Sequence, residues 1–169
     1  MVSSAFFKLA IGMNNDWKKE SSEKQKLFKR LLEKGSKQKI LKALPDLHEE
    51  AFEKINCLDC ANCCKNHSPR FKQPDIKRIA KYLKIKEGDL VSRYLKLDNE
   101  NDYVLRQKPC PFLASDNTCN IYDVRPSDCS RYPYTDEDVL IKRIPLTLTN
   151  SQVCPAVFYV LNELEKQIK

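Results

Sequence analysis

The sequence predicts a mainly α-helical protein with a small β element, a single small domain organised around a cysteine-ligated metal centre. Three observations carry that expectation. Apolar residues recur at helical spacing in several stretches, which proline and glycine separate. Two short runs have strand character. Eight cysteines occur in 169 residues, four of them in Cys57-Leu58-Asp59-Cys60-Ala61-Asn62-Cys63-Cys64. Cysteines at that density call for metal ligation, disulfides or thiol redox chemistry.

Residues 16–55 read as helical, with Leu27, Phe28, Leu31 and Leu32 recurring at helical spacing. Ser36 is placed to cap a second segment carrying Ile40, Leu41 and Leu44. Pro45 suits a fresh helix start, followed by Leu47, Ala51, Phe52 and Ile55 on one face. Residues 1–54 lack cysteine and are expected to form a helical N-terminal extension, either an amphipathic hairpin covering the metal core or an accessory segment. Residues 55–169 are expected to form the cysteine-cluster domain. After the cluster, Pro74 opens a helix carrying Ile76, Ile79, Ala80 and Leu83. Gly88 is read as breaking that pattern before a short helix with Leu90, Val91, Tyr94 and Leu95. Tyr103-Val104-Leu105-Arg106 and Val139-Leu140-Ile141 read as short strands. Asp116-Asn117 marks a turn between Cys110 and Cys119. Pro155 opens the last helix, whose apolar stripe is Val157, Val160, Leu161 and Leu164.

Hydrophobic residues make up 41% of the chain and charged ones 31%, so the expected core is thin. No run of about 20 apolar residues is present, and no transmembrane helix is expected. The start, Met1 to Lys8, lacks a basic region and Lys8 interrupts its apolar run, so no secretory signal is expected either. A cytoplasmic location follows as the working expectation, and there a cysteine pattern points to metal or catalysis rather than persistent disulfides. Residues 65–96 hold ten Lys/Arg against three acids, which equals the whole net charge of +7. The pI of 8.9 is modest and no recognition motif accompanies the charge, so nucleic acid is not expected as a partner. A solvated helix face is the simpler reading, and the cations also favour thiolates nearby. A protein partner is left open.

Cys57-x2-Cys60-x2-Cys63 repeats a two-residue gap that lets the backbone wrap a metal with sulfurs inward. Three such ligands in series, with a fourth supplied from elsewhere, favour an iron–sulfur cluster of the 4Fe–4S type, with Zn2+ as the alternative. Cys110, Cys119, Cys129 and Cys154 are the remaining candidates, and all eight cysteines are candidate ligands. Singly, each of those four also reads as a small buried hydrophobe. A disulfide framework and thioredoxin-like chemistry are weaker readings, the latter because the expected βαβ context is missing. Adjacent side chains diverge by about 100° in a helix and about 180° in a strand. Cys63 and Cys64 are therefore not expected on one mononuclear zinc, but on two centres or one multinuclear cluster. His67 is a possible substitute ligand, and His48 reads as a helix-surface or partly buried histidine. Tyr122, Arg125, Arg131 and Tyr132 lie among the cysteines, placed to donate hydrogen bonds toward sulfur. Their alternative is structural: tyrosines in the core, arginines paired with Asp123 or Asp128. The run Thr135-Asp136-Glu137-Asp138 reads as a solvated turn.

Cys57-x2-Cys60-x2-Cys63-Cys64 resembles the signature of the CxxCxxCC (YkgJ-like) cysteine-cluster family. Cys110-Pro111-Phe112-Leu113, Cys119-Asn120-Ile121-Tyr122, Arg125-Pro126, Cys129, Tyr132-Pro133 and the helix at Asp75-Ile76-x-x-Ile79-Ala80 agree with it. Ser130 departs from the basic residue usual after that cysteine, and Arg131 stands beside it. The resemblance covers roughly 55–160 and implies a zinc- or iron-chelating domain with no assigned activity. The same motif in larger flagellin lysine N-methylases implies an alternative, a metal-dependent redox or protein-modifying enzyme. The chain shows no glycine-rich loop for S-adenosylmethionine.

Overall fold

A computed structural model describes residues 16–168 of the chain; Met1 to Lys8, read above as unlike a secretory signal, lie outside the described residues. In chain order the elements are α1 (Trp17–Glu23), α2 (Gln25–Lys34), α3 (Lys37–Lys54), α4 (Cys57–Cys60), α5 (Asn62–Asn66), α6 (Gln73–Leu83) and α7 (Glu87–Tyr94), then β1 (Leu95–Leu97) and β2 (Tyr103–Leu105). A 3₁₀ turn (Tyr122–Val124), α8 (Ser127–Arg131), α9 (Val139–Lys142), α10 (Ile144–Ser151) and α11 (Pro155–Gln167) follow. The described residues are mainly helical with one two-stranded sheet, as expected, although Leu95, read as part of a helix, opens β1 instead. Its described residues pack as two compact units, one from residues up to 57 and from 133 onward, the other from Leu58–Tyr132.

The first unit is helical. Phe28, Leu32, Ile40, Leu44, Leu47 and Ala51 bury one face of α2 and α3 against α11, where Val157, Val160, Leu161 and Leu164 answer them. Ser36 caps α3 as expected, its hydroxyl accepting from Lys39 N–H. Pro45 does not start a helix; α3 runs through it. Proline lacks the N–H for one rung of the ladder, which costs about 3 kcal/mol. Ile40, Leu44 and Leu47 are at most 3% exposed on both sides of it, and burying each contributes about 1.5–3 kcal/mol. The continuous apolar face therefore outweighs the break. Val139-Leu140-Ile141 is also corrected, from strand to the single turn α9. Its backbone bonds close locally, Lys142 N–H to Asp138 and Arg143 N–H to Val139, both at 2.9 Å. Ser21 Oγ donates to the Ser151 carbonyl at 2.9 Å and Gln25 Nε2 to Ser151 Oγ at 3.0 Å, joining the N-terminal helices to α10. His48 packs at a tilt against Phe52 and hydrogen-bonds the buried Thr135 hydroxyl at 2.8 Å, so the 135–138 run is only in part a solvated turn. Among the described residues no single helix is long and apolar enough to cross a membrane.

The second unit carries the cysteine cluster apart from Cys57, and a small core of Phe71, Ile76, Ile79, Leu90, Leu95 and Leu105 with Phe112 and Ile121. β1 and β2 pair antiparallel with Leu95 opposite Leu105 and Leu97 opposite Tyr103. Pro74 lies in the first turn of α6, where a missing N–H costs nothing. Gly88 lies inside α7, in its first turn, where N–H groups need no intrahelical partner. The break expected there comes earlier, at Lys84, whose φ of 56° turns the chain. Phe71 N–H donates to the Tyr103 carbonyl at 2.8 Å and Leu105 N–H to Ser68 Oγ at 2.7 Å. The strand thus fastens the segment that leaves the cysteines.

Candidate metal centre

The cluster is two helical turns with a bend between them. Cys57 and Cys60 are the first and last residues of α4, and Cys63 and Cys64 lie in α5. Ala61 joins them in the left-handed region, φ 46°, which costs an alanine about 1 kcal/mol. Ala61 is 5% exposed, so packing holds the bend in place.

Two loops of the second unit return to this segment. Cys110 N–H donates to the Cys64 carbonyl at 2.9 Å, and Asn117 Nδ2 donates to the Leu58 carbonyl at 2.7 Å. The 112–120 hairpin is closed by Ala114 N–H to Thr118 and Asn120 N–H to Phe112, both at 2.9 Å, with Asn117 at φ 67° in the predicted turn. Leu113 and Cys119 face each other across it. Cys129 sits in α8.

Cys64 influences the Cys110, Cys119 and Cys129 thiols. Cys63 Sγ and Cys64 Sγ are 3.9 Å apart. The hydrogen bond from Cys63, then the Lys65 charge, lower the Cys64 thiol to about 7 against opposing burial. Burial, followed by repulsion from Cys64 and Cys119, pushes Cys110 up to about 11. Burial and then the Cys64, Cys110 and Cys119 charges push Cys129 up to about 12. Cys119 is raised by burial and by Cys64, with Arg125 opposing. Five sulfurs of one unit thus feel one another electrostatically. Clustered thiols with cations beside them fit a thiophilic metal, whose charge replaces their protons. Among the described residues, no three His, Cys, Asp or Glu side chains stand as a ready-made metal-holding group. All eight cysteines are thiols. Cys57, exposed, and Cys154, which precedes the first turn of α11 and packs on the helical core, belong to the first unit.

The 3.9 Å pair corrects the expectation that adjacent cysteines diverge. Side chains about 100° apart on a helix still leave neighbouring Cβ atoms close enough for side-chain rotation to bring the sulfurs together.

Arg125 lies with its guanidinium 3.8 Å from the Tyr122 ring centroid and donates to the Tyr122 carbonyl at 2.7 Å. Its charge still reaches Cys119, so its structural and electrostatic roles coexist. Tyr122 is exposed, Tyr132 is half-buried after α8, and Arg131 is exposed in the last turn of α8. Asp128 pairs with Arg70 at 3.0 Å and Lys72 at 3.7 Å, which puts part of the basic stretch to work beside Cys129. His67 ends α5, its N–H bonded to the Cys63 carbonyl at 2.8 Å, and burial lowers its pKa.

Sequence reasoning assigned no role to the Asp75 carboxylate, which is 2% exposed. It accepts from Lys72 N–H at 3.1 Å, Arg78 Nη2 at 2.8 Å, Ser127 N–H at 3.1 Å and Ser127 Oγ at 3.2 Å. Arg78 Nη2 also donates to the Arg125 carbonyl at 2.8 Å. α6 is thereby clamped to the segment that begins the Cys129 helix. An acidic residue at the third position of a helix opened by proline is the signal that marks it.

The family profile described as "Putative zinc- or iron-chelating domain" matches residues 56–155. The chain belongs to the CxxCxxCC family. That family description assigns chelation of zinc or iron to the stretch that holds all eight cysteines. An uncharacterized protein of Methanocaldococcus jannaschii is 34% identical over 97 residues, covering 56% of this chain and 50% of the relative. The chain therefore spans about half the length of the curated relative it matches. No solved structure matches.

Proposed function

We propose that this protein is a metal-binding protein whose thiolate centre is built chiefly from Cys60, Cys63, Cys64, Cys110, Cys119 and Cys129. The observation that carries this reading is the mutual electrostatic influence of the Cys64, Cys110, Cys119 and Cys129 thiols, closed by the Cys110 N–H bond to the Cys64 carbonyl. The metal is iron, as an iron–sulfur cluster, or zinc. The three-in-series spacing favours a cluster, and the chemistry of the donor set accepts either. Eight thiols rather than disulfides fit a reducing cytosol. The experiment is anaerobic purification followed by iron, zinc and sulfide analysis and an absorption spectrum. Near-stoichiometric metal is expected, coloured with sulfide if iron, colourless if zinc. Metal-free protein that takes up neither ion refutes the proposal.

A further inference from the structure

We infer that Cys63 and Cys64 bind one and the same metal ion as an adjacent chelating pair. This rests on the metal-binding reading above and deepens it. The observation is the 3.9 Å separation of the two sulfurs on consecutive residues of α5. Two thiolates on one tetrahedral ion stand apart by roughly 1.6 times the bond length, or about 3.8 Å for a metal–sulfur bond of about 2.3 Å. The pair already has that spacing, as a sulfur–sulfur hydrogen bond. A metal ion bound there would displace both thiol protons to solvent, and each sulfur would donate a lone pair to it.

The same distance discriminates between centres. In a four-iron cube each iron takes one cysteine, so two cysteine sulfurs are separated by an iron–iron edge and by outward-splaying bonds. Sulfurs at 3.9 Å fit two ligands of one zinc, one mononuclear iron, or one iron of a two-iron cluster. The Cys110 N–H bond to the Cys64 carbonyl holds the loop that supplies the next thiol against the same turn. Ala61, buried in the left-handed region, fixes the entry of α5 and therefore which side the pair presents.

The test is a substoichiometric titration of the reduced full chain with Zn2+ alone, under nitrogen. At each step the chain is pulse-alkylated and the modification of Cys63 and Cys64 is read by tandem mass spectrometry. Both cysteines are expected to gain protection together, at the same metal equivalent. Protection of one at an earlier equivalent than the other, or of only one throughout, overturns the inference. Zinc uptake with neither protected overturns the pair while leaving the metal-binding reading intact; no zinc uptake at all also overturns the pair, and the iron, zinc and sulfide analysis of the purified protein then decides the metal-binding reading separately. A second arm measures Zn2+ affinity for Cys63→Ser, Cys64→Ser and the double variant, with circular dichroism confirming that each is folded. Each single change is expected to weaken binding at least 100-fold, and the double variant by no more than about tenfold beyond either, since residues acting as a unit are non-additive. Losses that multiply, or single variants that empty different metal equivalents, contradict a shared ion.

Discussion

Replacing Asp75 with Ala removes the acceptor of four donors: Lys72 N–H, Arg78 Nη2, Ser127 N–H and Ser127 Oγ. Hydrogen bonds to a charged group contribute about 1.5–3 kcal/mol each. They share one carboxylate, so they do not add in full. The Arg78 side chain is 41% exposed and rehydrates when released, which puts its bond at the low end. The expected loss is about 3–5 kcal/mol, well above the roughly 1 kcal/mol of a typical substitution. Asp75→Asn keeps one acceptor oxygen and is expected to lose about half as much. Urea unfolding of the metal-free protein, followed by circular dichroism, reads this as a midpoint lower by about 1.5–2.5 M at an m-value near 2 kcal/mol/M. The pH dependence has a definite sign. Burial pushes the Asp75 pKa up, but the bonds from Arg78, Lys72 and Ser127 outweigh it and the net shift is downward. A depressed carboxylate contributes its full stability above the unfolded value of about 3.9 and loses it as pH falls through the folded value. The gap between wild type and Asp75→Asn should hold constant from pH 7 to 5 and narrow below pH 4. An Ala variant within 1 kcal/mol of wild type at pH 7, or an Asn gap that does not narrow in acid, would refute the clamp.

Cys60→Ser is expected to lower metal content and melting temperature together, because ligation free energy is folding free energy, and unchanged metal content and melting temperature would remove Cys60 from the centre; Ile40→Ala, fully buried in the other unit, should cost about 2–5 kcal/mol and leave metal stoichiometry intact by elemental analysis. The two described glycines should respond with opposite sign in thermal melts. A Cβ at Gly35 would lie 2.4 Å from the Leu31 carbonyl oxygen, so Gly35→Ala destabilises by about 1–3 kcal/mol. Gly88 faces open space within α7, and Gly88→Ala stabilises by up to about 1 kcal/mol. In metal-free protein at pH 7.5, iodoacetamide should label Cys64, lowered to about 7, well before Cys110 or Cys129, raised to about 11 and 12; equal rates measured by peptide mass spectrometry would contradict this order.

What was legible in the sequence was local. Ser36, Pro74, Pro155 and the Asp116-Asn117 turn act through their own backbone, so their signals survive into the structure. Pro45 and Val139 misled because tertiary burial decides there: the apolar face of α3 carries the helix through the proline, and a β-prone triplet closes its bonds within one turn. At the candidate site, the residue types and the cluster were readable from spacing alone. The approach of Cys63 to Cys64 depends on rotamers, and the Asp75 clamp joins residues 52 positions apart. Neither leaves a periodic trace.

The helical unit is made from the two ends of the described chain, and this sets the order in which it can form during synthesis. α3 is complete at Lys54, yet its apolar face is covered by α11, which begins at Pro155. Roughly 100 residues separate them, about 5–20 s of translation. Through that interval Ile40, Leu44, Leu47 and Ala51 stay adhesive on the nascent chain. The Leu58–Tyr132 stretch emerges meanwhile as one contiguous piece with its own apolar core. Its thiols are on offer to a metal while the leading helices still wait for the tail that will cover them.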